Sequence, residues 1–450
     1  MEIDDELGSK EMNHFEEVVN LSKERGTEMH SWAQNLFPIC RSITGQGVRE
    51  TLAYLSEQSV KINVKSIPSG TKVFDWTVPD EWKISEGWVK DSNGTKIIDF
   101  KENNLHVVGY STGVNKKLSR QELFDHLHTL PDQPNAIPYV TSYYKRQWGF
   151  CCSEEQKKEM KDSSYEVYIA SEHFKGEMNY GEVIIKGKSK KEILISSYIC
   201  HPSMANNEIS GPVVTAMIAK ILSKYKLNYT LRIIFIPETI GSIAYISQHL
   251  EHLKKNTIAG FNVTCVGDNR CYSFLPSRNG KTISDKAAKH VLSHISEEYK
   301  KYSWFDRGSD ERQFCSPGVD LPMCLIMRSK FNAYPEYHTS LDNLSIISPS
   351  GLLGGLRANL LAILSVDANY FANSVQYCEP MLSKYGIVAD TSIKKEGAGM
   401  SVGRKHKAFL SMSDGKIDLI EMSDYLSIPI WEAFSLGEEL HELGLITKDN

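Results

Sequence analysis

The 450-residue sequence predicts an α/β protein, a three-layer α/β/α body on a mixed, largely parallel central sheet, with a β-rich insertion and a winged-helix-like unit at the C-terminal end. Three observations carry this expectation. The apolar runs GEVIIKG, KEILISSYI, TLRIIFIP and IAGFNVTCVG alternate with helical stretches, as strands buried on both faces and their crossovers do. Residues 69–165 change character to Trp, Val and turn pairs such as Asn93-Gly94, the signature of short hairpins. Residues 376–450 end in a short helix, a turn at SIP and a longer helix.

Taken in order, Phe15, Val18, Val19, Met29, Trp32, Ala33 and Leu36 keep helical spacing over 10–37. The stretch PICRSITGQGVRETLAYLSEQ then turns at its glycines into a second helix near Val48. The β-rich insertion follows, from about 69 through IPYVTSYYKRQWGFCC to 165. The α/β pattern resumes with the four apolar runs. Val214, Met217, Ile218 and Ile221 mark one helix between them, and DKAAKHVLSHISEEY another. PGVDLPMCLIMRS adds a strand, and PSGLLGGLRANLLAILSVDANYF closes the body with a helix to about 372. The domains expected are therefore 1–68 with 166–375, the insertion 69–165, and 376–450.

Composition narrows the function classes. A net charge of −5 argues against wholesale nucleic-acid binding. The acidic start MEIDDELGSKEMNHFEEVV has no basic region leading into an apolar run, and no stretch approaches the ~20 apolar residues of a membrane span. Nine cysteines without framework spacing read as reduced thiols, so a cytoplasmic protein is expected. Within 376–450, eight basic residues face twelve acidic ones, and the stretch Trp431–Leu443 carries four glutamates and no Lys or Arg. A phosphate backbone would repel that face, so a protein contact or a structural use is expected there ahead of DNA.

Ligands of open α/β sheets bind past the carboxyl ends of the strands. Four polar residues stand just past apolar runs: His201 after ILISSYIC, Glu238 after LRIIFIP, Asp268 after FNVTCVG, and His338 beyond LIMRSKFNAYPEY. Two imidazoles and two carboxylates on one rim suit zinc, which takes nitrogen and carboxylate oxygen and keeps a position open for water. Singly, each has a plainer reading as a loop, cap or turn residue; the shared placement is what is specific. Arg41, Arg49, Asp310 and Arg312 stand nearby in this scheme as substrate contacts or, more simply, as surface ion-pair residues.

The order of these residues resembles the co-catalytic zinc aminopeptidases, relatives of the glutaminyl cyclases, in His201, ANNEISG (205–211), PETIG (237–241), Asp268 and YHTSLD (337–342). RSITGQGVRETL, FDWTVPDEW and CHPSMANNEISGP more closely resemble bacterial aminopeptidase-like proteins that carry a β insert and a C-terminal winged helix and often belong to surface-polysaccharide biosynthesis. The resemblance implies a zinc-aminopeptidase-like fold, His201 and Asp268 on one zinc, His338 on a second, and Glu238 as general base. It also implies an oxyanion donor in Tyr337. Two positions depart from the pattern. The bridging aspartate falls on Asn207, and the second glutamate of the Glu-Glu pair falls on Thr239. One firmly held zinc is therefore expected, on His201 and Asp268, with Asn207 or His338 completing it.

The function expected is a zinc-dependent aminopeptidase-like hydrolase that cleaves a peptide or amide bond with metal-activated water. Its substrate would be a small peptide or an acylated amine, and a protein partner would find the C-terminal unit. The alternatives are a binding or scaffold protein that keeps the fold without the chemistry and, more weakly, a winged-helix DNA-binding regulator.

Overall fold

The structure, a computed structural model, describes residues 14–387 and 402–449. The start of the first expected helix and most of SIKKEGAGMSVGRK lie outside the described residues. That first helix is divided in two, His14–Val19 and Lys23–Leu36, the second opening after Ser22.

An eight-stranded sheet forms the centre, in the order Asn63–Pro68, Glu177–Ile185, Tyr229–Ile236, Ser189–Tyr198, Thr257–Asn262, Met323–Met327, Ser273–Leu275, Lys300–Lys301. The four middle strands run parallel, and the edges add antiparallel pairs. The apolar runs are continuous because both faces of these strands are covered. Ile193, Ile195, Ile233 and Phe235 enter one core with helices Lys23–Leu36, Ser210–Leu222, Ile283–Ile295 and Pro349–Asp367. Leu194, Ile234 and Ile236 enter the other core with helix Ile240–Asn256. The period of two along each strand thus divides its side chains between two helical layers. Helix Pro349–Asp367 is long and apolar enough to cross a membrane by composition, but 72% of it is buried in the first core.

The insertion begins and ends on neighbouring strands. Pro68 pairs with Glu177 at the edge of the main sheet, and the residues between them make a four-stranded antiparallel sheet. That sheet extends past 165, because Ser164–Phe174 pairs along Glu81–Lys90, with Trp88 opposite Tyr168. At the other end, Phe371–Ser374 already pairs with Asp414–Asp418 and Ile446–Asp449, ahead of residue 376. This three-stranded sheet and helices Val402–Met412, Leu419–Leu426 and Ile430–Glu442 form the winged helix. Its apolar residues, Phe409, Ile420 and Leu440 among them, are continuous with the first core. His290 fastens it to the body, with Nδ1 2.6 Å from Asp424 and Nε2 accepting the Ile430 N–H at 2.9 Å.

Candidate active site

His201 follows the central strand Ser189–Tyr198 and is buried. Its Nδ1 lies 2.9 Å from Glu208 Oε2, and its Nε2 lies 3.5 Å from Glu238 Oε2. Glu208 in turn has Arg41 Nε 3.4 Å away, and both side chains are 1% exposed. Arg41 also donates to the carbonyls of His201 at 3.0 Å and Leu36 at 2.8 Å. Arg41 is therefore a buried positioning residue here rather than a substrate contact. Burial disfavours the imidazolium of His201, and the Cys200 sulfur and Glu208 carboxylate overcome this and hold its pKa well above the ordinary value.

The turn carrying Glu208 is fixed from the other end of the chain. The backbone N–H groups of Asn206 and Asn207 donate to the two oxygens of Asp342, at 2.7 and 2.9 Å, and Tyr334 adds its hydroxyl at 2.8 Å. Burial pushes the Asp342 carboxyl up to about 6 despite these donors. Gly211 lets the following helix approach the sheet, since a Cβ there would lie 2.4 Å from the Val263 carbonyl. Sequence reasoning gave Asp342 no role, although the motif YHTSLD contains it.

Glu238 stands beyond strand Tyr229–Ile236, where its N–H donates to Cys200 Sγ at 3.2 Å. Burial raises its pKa, against the pull of His201 and Arg312. Thr239 has φ +64°, a strained setting for a β-branched residue. Asp310 accepts the Thr239 N–H at 2.8 Å, and Arg312 donates to its hydroxyl at 2.6 Å. Burial and the charge of Glu238 push Asp310 up to about 8. These two sequence-nominated residues thus clamp Thr239 behind the site.

His338, at φ +57°, brings its ring to 5.6 Å from that of His201, with Tyr139 5.1 Å from both. Tyr337 stacks on His338 at 3.8 Å. Burial, reinforced by the charge of His201, depresses the His338 pKa to about 3, so this imidazole is neutral. Burial also keeps the Tyr337 phenol protonated.

Asp268 is placed differently. Its Oδ1 accepts from Arg270 N and Ser329 Oγ, and its Oδ2 from Asn206 Nδ2 and Ser329 N, all within 3.1 Å. Among the contacts of the described residues, none joins it to His201 or His338. The reason is where the strand stops. Thr257–Asn262 ends before the apolar run does, so Thr264, whose hydroxyl donates to the Asn207 carbonyl at 3.1 Å, takes the place beside the site. Asp268 serves as a turn carboxylate.

The donor chemistry of the site suits a zinc ion. Asn207 Oδ1 and His338 Nε2 are both buried without a hydrogen-bond partner, a costly state that a bound cation would relieve. The Glu208 contact at His201 Nδ1 is the orienting partner that a ligating imidazole usually has, and its Nε2 proton is the one a metal would displace. A second ion would require carboxylates where Asn207 and Thr239 stand. Among the described residues, Cys200, His201 and Glu208 offer ligand atoms within 4.8 Å of one another, with His201 facing both through Nδ1. We assign that grouping to positioning, because the Cys200 thiol is raised to about 11 by burial and is protonated at neutral pH.

In front of His338 opens a cavity of about 540 Å³, lined on one side by Tyr337, His338 and Thr339 and on the other by residues 128–140 of the insertion.

Comparison with known proteins agrees with this architecture. The family model of a domain of unknown function (DUF4910) matches residues 30–369, and a winged helix-turn-helix model matches 369–448. A Clostridium acetobutylicum protein, provisionally named polysaccharide biosynthesis protein with aminopeptidase-like domain, is 42% identical over 416 residues, covering 92% of this chain and 94% of its own. The crystal structure of a provisionally named peptidase from the same species has a TM-score of 0.89 at 38% identity, covering 97% and 98%. The zinc aminopeptidase BSAP of Bacillus subtilis has a TM-score of 0.56 at 14% identity over 76% of this chain and 94% of that one, a likeness of fold alone.

Proposed function

Because this chain belongs to the family of the domain of unknown function (DUF4910), with an aminopeptidase-like α/β body and a C-terminal winged helix, we propose that it is a peptidase-like hydrolase cleaving an amide bond in polysaccharide metabolism. The observation that carries this reading is Glu238, a half-buried carboxylate 3.5 Å from His201 Nε2. Its raised pKa brings it nearer to that of a base poised for neutral pH. Glu238 takes a proton from the attacking water and returns it to the leaving nitrogen. Arg41 and Glu208 hold His201 in one orientation, and Asp342 holds the turn of Asn207. Tyr337, kept protonated and fixed by its stack on His338, donates to the oxygen that becomes anionic. His201, Asn207 and His338 would hold a zinc ion, which would supply Lewis acidity to the carbonyl when bound. The nine free thiols suit a reducing compartment, and we place the protein in the cytoplasm.

The test is paired. Protein purified without chelator should carry about one zinc per chain, and Glu238→Gln should lower kcat on a responsive aminoacyl or N-acyl substrate by roughly 10²–10⁴. Activity unchanged by that substitution removes Glu238 from the mechanism. A second reading, a binding protein on the same fold, is favoured by Asn207 and Thr239 standing where carboxylates would be needed; it requires metal-free protein and no turnover.

A further inference from the structure

The wall facing the site comes from the insertion, and its construction narrows what can enter. Segment 133–143 is strapped to the catalytic loop. Tyr139 N–H donates to the His338 carbonyl at 2.9 Å, and Ser340 N–H donates to the Ile137 carbonyl at 2.9 Å. Ile137 N–H reaches Ser340 Oγ at 2.9 Å, and Gln133 Nε2 reaches the Pro335 carbonyl at 2.8 Å. The backbone groups that an extended peptide would use to add a strand here are already paired within the chain. A compact ligand remains.

The cavity of about 540 Å³ is of small-molecule size. It combines the rings of Tyr139 and Tyr337 with Leu130 and Pro131, and sets Thr129, Asp132 and Gln133 among them. The insertion wall brings Gln133, whose Oε1 has no hydrogen-bond partner. An unpaired acceptor of this kind is stabilised when a donor reaches it. A ligand that is apolar on one face and carries several O–H or N–H donors at its edge meets all of these features. A pyranose ring has that chemistry: its C–H face lies on an aromatic ring while its hydroxyls donate to amide and carboxylate oxygens.

We propose that this cavity holds the sugar ring of an N-acylated amino sugar, with Gln133 and Asp132 reading its hydroxyls and its amide directed to Glu238. Only the fate of the amide rests on the hydrolase reading. In that step water's oxygen bonds to the acyl carbon, the C–N bond breaks, and the products are a carboxylate and a protonated amino sugar.

The experiment uses the full-length chain carrying Glu238→Gln, so that no probe is consumed. N-acetylglucosamine and, as control, a glycine dipeptide amide are titrated by saturation-transfer NMR and calorimetry. The sugar should bind saturably and more tightly than the dipeptide. Gln133→Ala should weaken it about tenfold, and Asp132→Asn, at an exposed position that leaves folding intact, several-fold. No saturable sugar binding, or affinity unchanged in both variants, overturns the proposal. Turnover of aminoacyl amides by wild type without sugar binding overturns the proposal and keeps the hydrolase. Sugar binding without turnover of any amide keeps the proposal and removes the hydrolase.

Discussion

Arg41→Met is the most discriminating perturbation of the site's support. Arg41 and Glu208 are each 1% exposed, so deleting the guanidinium leaves a carboxylate buried beside His201 without its cation. Removing one member of such a pair costs about 3–5 kcal/mol, because the survivor keeps its desolvation penalty. Two carbonyls, of Leu36 and His201, also lose their donor, which places the loss at the upper end of that range. Glu208→Leu alone strands the cation in the same way. The double variant replaces both charges with apolar groups and should recover a large part of the loss, giving a coupling energy of about 1–3 kcal/mol. Urea denaturation followed by tryptophan fluorescence, on wild type, both single variants and the double variant, measures the cycle. Single losses below about 1 kcal/mol, or losses that add within about 0.5 kcal/mol, would refute the picture of a buried relay holding His201.

Gly211→Ala places a methyl 2.4 Å from the Val263 carbonyl, so helix Ser210–Leu222 must shift, at a cost of about 1–3 kcal/mol read from the same transition, with the Asn207 turn displaced along with it. Met217→Ala, in the buried core of that helix, should cost about 2–5 kcal/mol without altering substrate preference. Acid stability tests Glu192. Burial opposes its ionisation, yet the two Arg232 contacts at 2.7 and 3.0 Å hold its pKa below 4.5. A depressed carboxylate contributes fully above its unfolded value and loses that contribution as pH falls through the folded one. The urea midpoint of wild type should therefore fall more steeply than that of Arg232→Met as pH drops from the ordinary carboxylate value through the lowered folded one; parallel curves would exclude the pair.

The proximity of His201, Glu238 and His338 was legible because each follows an apolar run that is a true central strand or leads from one, and sheet topology gathers such ends. Asp268 stands apart from them for the converse reason. Its apolar run outlasts the strand, so counting hydrophobic residues overshoots the position that Thr264 fills. The relay of Arg41 and Glu208 left no local trace, since a surface arginine and a buried one are spelled alike and only the folded distance between residues 41 and 208 separates them. The same holds for Tyr139, whose place against both histidines depends on how the insertion folds back.

Pro68 and Glu177 face one another across the first two strands of the sheet, so the whole insertion hangs from a single pair of adjacent backbone positions. A tight turn would span that gap, and the edge would close as an ordinary hairpin with its register untouched. The body and the selecting wall are thus separable in the chain though joined in space. A shortened protein of this kind would present its histidines to solvent on the side where Tyr139 now lies, retaining the machinery while losing its means of choosing what to act on.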